Sequence, residues 1–199
     1  YKRPLRTIRC LNSIIQQKFE NWEAIFVGDN CQDFQKFLDN GLFQSYKDSE
    51  AVNGNALIFE NLKQHYGGWG SMCRKVGIDL AKGKYIAFLD NDDIVLPNHL
   101  TNYSSFMEDN PEVDFAYFNA RTEPWKRDRI STLSRGGIGN AELCFKSDVL
   151  RREYVVDLEY EHDWRLVDRC MKKGYKYKKC NNPPSYIIMS APNDREKGI

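Results

Sequence analysis

The chain has 199 residues, 41% hydrophobic and 29% charged, enough for one large domain with a substantial core. A net charge of +1 suggests neither a nucleic-acid nor a membrane partner on charge alone, and no nucleic-acid partner is expected. The longest apolar runs, YIAFL and YIIM, are too short to cross a bilayer, and no apolar stretch follows the basic opening YKRPLRTIRC, so neither a membrane segment nor a signal peptide is expected.

Leu5, Ile8, Leu11, Ile14 and Ile15 recur at helical spacing, which predicts an amphipathic helix over about 4–17. Because this pattern begins almost at Tyr1, the chain is expected to be a fragment or to lack a leading strand. WEAIFVGDNC predicts a strand ending in a turn at Gly28, Asp29 and Asn30. QDFQKFLDNG predicts a short helix stopped by Gly41, and NALIFEN a second strand. HYGGWGSMCRKVGIDLAKG starts as a glycine-rich loop and becomes a helix closed by Gly83. KGKYIAFLDNDDIVLP supplies the next strand, and Pro97 opens a helix that ends before Pro111. DFAYFNA predicts another strand. This alternation implies an open, largely parallel α/β sheet with ligands at the carboxyl ends of its strands.

After Ala120 the rhythm breaks. Thr122 to Gly139 reads as a long polar loop, with Arg127, Arg129 and Arg135 suited to a phosphate or an anionic acceptor, or simply to solvent. AELCFKSDVL predicts a strand running into a helix, and EHDWRLVDRCMKKG a helix with Trp164, Val167, Cys170 and Met171 on one face. YKYKKC and SYIIMS predict short edge strands. The six cysteines show no CxxC spacing, which argues against zinc and for reduced core thiols in a reducing, cytoplasmic setting.

Asp90, Asp92 and Asp93 crowd the end of one strand. Carboxylates this close repel one another unless a cation or hydrogen-bond donors offset the charge, and hard oxygen ligands favour Mg²⁺ or Mn²⁺. With so few protein ligands the ion needs others, such as a diphosphate. YGGWG lets the backbone approach a ligand but lacks the GxGxxG and GxxxxGK spacings.

AKGKYIAFLDNDDIVLPNHL resembles the DxD-bearing stretch of glycosyltransferase family 2, which has the GT-A fold. YKRPLRTIRCLNSIIQQKFENWEAIFVGDNC is similar to that family's opening segment, CRKVGIDLAKG to its Arg-Asn-x-Gly helix, and YEHDWRLVDRCMKKGYKY to its Glu-Asp-Trp segment. The resemblance implies a single Rossmann-like GT-A domain over 1–199. It would have a mostly parallel central sheet flanked by helices, a small antiparallel C-terminal part, a nucleotide-sugar half at about 1–95 and an acceptor half at about 96–199.

The resemblance further implies a metal-dependent inverting transfer from a nucleoside-diphosphate sugar, with uridine as the expected nucleoside, to a hydroxyl of a glycan or another acceptor. Asp92 would hold Mn²⁺ or Mg²⁺, with Asp93 as an alternate or supporting ligand. Asp90 would bind the ribose or support the metal, with Asn91 beside it on the donor. Asp29 would accept from the base and Tyr1 line its pocket, while Arg74 would reach the diphosphate or the sugar. Asp163 would be the general base, with Glu161 and His162 near enough to substitute. His65 and His99 receive no role. Two other readings stay open: a nucleotidyltransferase, for which the expected N-terminal glycine-rich phosphate loop is not visible, and a silent nucleotide-sugar-binding domain.

Overall fold

Residues 4–49, 52 and 54–189 are described by a computed structural model, which carries the α/β architecture of the GT-A fold. Pro4–Ile15 forms helix α1, and Leu11 and Ile14 of its apolar stripe are buried. Strand β1 (Glu23–Gly28) follows, then α2 (Gln32–Asp39), α3 (Leu42–Lys47) and β2 (Ala56–Asn61). The helix expected at 32–41 is α2, and it stops as expected before Gly41, which takes φ +76°; the chain then re-enters helix at Leu42 in α3, which was not expected from the sequence. Next come α4 (Ser71–Leu80), β3 (Tyr85–Ala87), β4 (Ile94–Val95), α5 (His99–Glu108) and β5 (Phe115–Phe118). Helix α4 stops before Gly83, at Ala81, which is already extended.

The expected loop after Ala120 begins instead as a hairpin, β6 (Ala120–Glu123) and β7 (Arg127–Arg129), paired antiparallel. Beyond buried Ala120 its side chains are polar and partly or fully exposed, so the alternation of apolar residues that marks a strand is missing from the sequence. The chain continues through β8 (Leu143–Lys146), α6 (Ser147–Glu153), α7 (His162–Lys172), β9 (Tyr177–Cys180) and β10 (Tyr186–Met189).

The sheets are mixed rather than mostly parallel. In the order β3-β8-β5-β9, strand β8 runs antiparallel to both neighbours and β9 parallel to β5. Leu143, Cys144 and Phe145 of β8 are fully or nearly fully buried, as a short apolar run covered on both faces must be. A second sheet orders β4-β10-β6-β7, and β1 pairs parallel with β2. The two C-terminal strands do not form one antiparallel unit: β9 edges one sheet, while β10 lies inside the other, because β4 and β6 pair with its two sides.

Among the described residues β1 pairs only with β2, and β3 only with β8. Both strands line one cavity of about 1320 Å³, and the acidic turn after β3 opens onto it. Three apolar clusters hold the frame. One, under α1–α3, is centred on Phe34, Phe43 and Phe59, with the Phe43 and Phe59 rings stacked 4.1 Å apart. A second joins α4, α6, α7 and β8, and a third joins α5 to β5. All six cysteines are free thiols, and Cys10, Cys144, Cys170 and Cys180 are buried. Among the described residues no helix is long and apolar enough to cross a membrane.

Candidate active site

Strand β3 gives way to a tight turn in which the Asp93 amide donates to the Asp90 carbonyl at 3.1 Å. The turn sends its carboxylates to different partners. Asp90 receives Arg74 Nη2 at 2.9 Å and keeps nearly half of its side chain exposed. Asp92 lies 3.5 Å from Arg6 Nη1, with about a third of its side chain exposed, while Arg9 donates to its backbone carbonyl at 2.7 Å. Asn91 donates to Thr7 Oγ1 at 3.2 Å. The first helix therefore supplies much of what offsets the acidic turn.

Asp93 is a different kind of residue. It is buried, and its two oxygens accept from the Tyr186 hydroxyl and, at 2.8 Å, from the Met189 amide, both on β10. Burial pushes its carboxyl up to about 6 against the pull of those two donors. Its visible work is to tie the turn to the C-terminal strand.

Asp29 directly follows β1 and is also committed within the protein. Its Oδ1 accepts from the Tyr66 amide and its Oδ2 from the Gly67 amide, each at 2.8 Å, and His65 Nδ1 stands 2.9 Å from Oδ2. The carboxylate thus fixes the start of the glycine-rich loop. Oδ2 faces both the Gly67 amide and His65, whereas Oδ1, with the Tyr66 amide on one lone pair, keeps the capacity to accept from a ligand.

Arg74 is the hub. Besides Asp90, its Nη1 donates to the Trp69 carbonyl at 2.7 Å and lies 3.0 Å from His162 Nε2. Arginine has only donors, so Nε2 is the accepting nitrogen of a neutral ring. Burial, and secondarily the Arg74 charge, lower the His162 pKa to match. Asn140 Nδ2 reaches the same nitrogen at 3.0 Å. One connected set of contacts therefore runs from Asp90 through Arg74 and His162 to Asn140.

Asp163 follows His162 in the first turn of α7. Its Oδ1 accepts from the Trp164 amide at 2.8 Å, and it lines the same cavity as Asp29, Arg74 and Asp90. Helix α7 begins after Glu161, which has φ +72° and is held by Arg135 at 2.6 Å. Arg129 pairs with buried Glu142 at 3.1 Å. These two arginines of the former loop are therefore engaged with carboxylates of the frame. Tyr1 lies outside the described residues.

Among the described residues, no group of three His, Cys, Asp or Glu side chains is gathered as a metal cluster. The half-exposed oxygens of Asp90 and Asp92 suit a hard cation that takes its remaining ligands from a diphosphate. The bridge through His162 and Asn140 was not legible beforehand, because it joins residues far apart in sequence that carry no spacing signal.

The chain is 28% identical over 194 residues to an uncharacterized glycosyltransferase of Methanocaldococcus jannaschii, covering 89% of this chain and 64% of that protein. It is 30% identical over 194 residues to the Escherichia coli UDP-Glc:alpha-D-GlcNAc-diphosphoundecaprenol beta-1,3-glucosyltransferase WfaP, covering 91% of this chain and 71% of that one. Among solved structures, Staphylococcus aureus TarS in complex with UDP superposes with a TM-score of 0.77 at 17% identity, covering 96% of this chain and 59% of that one. A Pyrobaculum calidifontis mannosyltransferase in complex with GDP-Man and Mn²⁺ gives 0.73 at 17% identity, with 98% and 56% covered. At these identities the structural likeness is one of fold. The chain spans less than two thirds of the archaeal relative and of both solved chains. Residues 1–154, from the opening helix through the acidic turn to the end of α6, match Glycosyl transferase family 2, and the chain belongs to that family.

Proposed function

We propose that this domain moves a sugar from a uridine-diphosphate donor to an acceptor hydroxyl, with inversion at the anomeric carbon and with a divalent ion at the acidic turn. The observation that carries this reading is the Asp90–Arg74–His162 connection. It links the turn suited to a diphosphate with the helix start that bears Asp163, around one cavity.

Asp163 serves as the base. Its carboxylate takes the proton of the acceptor hydroxyl while the hydroxyl oxygen bonds to C1. The bond from C1 to the diphosphate oxygen breaks, and the diphosphate leaves with the electron pair. A single displacement from the opposite face inverts the centre. The Trp164 amide, on one carboxylate oxygen, keeps the group oriented. Asp92, supported by Asp90, would hold the divalent ion, whose positive charge would offset that of the departing diphosphate. Asp29 accepts from the imide N–H of uracil through the lone pair that the Tyr66 amide leaves on Oδ1.

Relatives support the class of donor. The Escherichia coli protein is named for UDP-Glc, and TarS has been solved with UDP and with UDP-GlcNAc. The archaeal mannosyltransferase holds GDP-Man, so the base is the point to test. Calorimetry with UDP and GDP, in Mn²⁺ and in chelator, does so. UDP should bind more tightly than GDP, and both chelator and Asp92→Asn should weaken UDP at least roughly 10-fold. Equal UDP affinity with and without the ion refutes the metal, and tighter GDP binding refutes uracil recognition by Asp29.

A further inference from the structure

Trp69 and Tyr160 stand in the open. The two residues are 65% and 70% exposed, although each could bury a large apolar area. They meet edge to face, with centroids 5.4 Å apart and planes at 65°. Both line the cavity that also takes in Arg74, Asp90 and Asp163. Two large rings in contact and left wet at the lip of the cavity form an exposed apolar patch of the kind that marks a binding site.

The pair is also held in place. Trp69 adopts φ +55°, a left-handed backbone that is unfavourable for a bulky side chain. Arg74 secures that backbone through the Trp69 carbonyl. Next to it, Gly68 lies so close to Leu158 that a Cβ there would sit 2.4 Å from Leu158 Cδ2 and 2.9 Å from its Cα. The glycine-rich loop and the 155–161 segment are thereby docked against each other, one carrying Trp69 and the other Tyr160.

We propose that Trp69 and Tyr160 form the platform for a pyranose ring of the acceptor, a site that rests on the glycosyl-transfer reading above. A pyranose has an apolar face of C–H groups and a rim of hydroxyls. Stacking that face on an aromatic ring removes apolar area from water while the rim stays hydrated or meets polar groups. A T-shaped pair offers one ring face flanked by the edge of the other, which suits one puckered ring better than a flat base held between parallel rings. The chain adds direction. Tyr160 lies three residues before Asp163, and Trp69 is tied to Arg74. A sugar on the platform would thus lie in the same cavity as the base and the donor-binding residues.

The test uses the whole chain with UDP and Mn²⁺ present, and methyl pyranosides of glucose, galactose, mannose and N-acetylglucosamine as probes. Binding is read by saturation-transfer NMR and tryptophan fluorescence. At least one pyranoside should bind, and Trp69→Ala should weaken it roughly 5- to 20-fold. Tyr160→Ala should weaken it less, and Tyr160→Phe should restore it. UDP affinity, measured in parallel, should stay within about 2-fold in every variant, and the melting temperature should hold because both rings are exposed. The platform is refuted if no pyranoside binds, or if Trp69→Ala leaves pyranoside binding intact. It is likewise refuted if Trp69→Ala weakens UDP equally, which assigns the rings to the nucleotide, or if the rings instead mediate binding to lipid vesicles. Failure of the wild-type chain to bind UDP at all refutes the donor reading instead, so the two outcomes separate.

Discussion

Replacing Gly68 by alanine isolates the contact that joins the two walls of the cavity mouth. The added methyl meets Leu158 at 2.4 Å on Cδ2 and 2.9 Å on Cα, and the residue sits at φ +57°. The leucine side chain can turn away, but its Cα belongs to the backbone, so the loop and the 155–161 segment must part. The left-handed backbone costs about 1 kcal/mol once a Cβ is present, and forced separation of packed groups costs about 1–3 kcal/mol more. The expected loss is about 2–4 kcal/mol, or a drop in melting temperature of roughly 5–15 °C for a chain this size. Gly41→Ala is the control, because Gly41 has φ +76° but no atom within 4 Å of its notional Cβ, so only the backbone cost of about 1 kcal/mol applies. Thermal and urea melts of both variants measure the difference. Gly68→Ala should also weaken pyranoside binding, because it spreads Trp69 from Tyr160. Equal melting of the two variants refutes the argument that the close approach to Leu158 fastens these walls.

Asp163→Asn keeps the size of the side chain and should leave UDP affinity within a few-fold, while lowering sugar transfer roughly 10²-fold or more; product configuration read by NMR coupling should be inverted in the wild type. His99 is buried against Tyr103 and Ser185, and burial lowers its pKa to about 3 from 6.5. The ring is neutral in the fold, so its contribution is fully present above pH 6.5 and is lost as pH falls from there toward 3, by up to about 1.4 kcal/mol per pH unit. Urea melts at pH 6.5, 5.5 and 4.5 should show this slope in the wild type and a shallower one in His99→Gln. Tyr186→Phe takes the hydroxyl from buried Asp93 and should cost about 1–3 kcal/mol in the same melts; a neutral result would show that the turn is anchored elsewhere.

The sequence and the structure agree where local pattern and burial point the same way. Helix α1, strands β1 and β2 and the run into α6 follow from apolar spacing and from turn residues at their ends. The β6–β7 hairpin was not legible, because a half-exposed polar strand has no periodicity to read. The position of β10 inside its sheet was not legible either, since pairing partners far away in sequence decide it. The site divides in the same manner. Arg74, Asp90 and Asp163 all line one cavity, a grouping that the family resemblance, rather than their spacing, suggested. Asp93 and Asp29 have partners that no spacing could disclose: a distant strand for one, and the backbone amides of a loop for the other. Trp69 reads in the sequence only as an interruption among glycines, and its pairing with Tyr160 depends on a contact between two loops.

The tie from Asp93 to Tyr186 and Met189 also has a consequence for how the protein is made. Strand β4, directly after the acidic turn, takes its partner from β10, and the Leu96 amide donates to the Ser185 carbonyl at 2.8 Å. The first half of the chain leaves the ribosome long before that strand exists. Until β10 arrives, Asp93 has neither donor, and the turn lacks the contacts that face its buried carboxylate inward. The α1–β2 region can collapse early around its aromatic cluster, but the acidic turn is completed only once β10 has been made. A nascent chain stalled before Tyr186 would carry every candidate donor-binding residue and still lack a finished donor site.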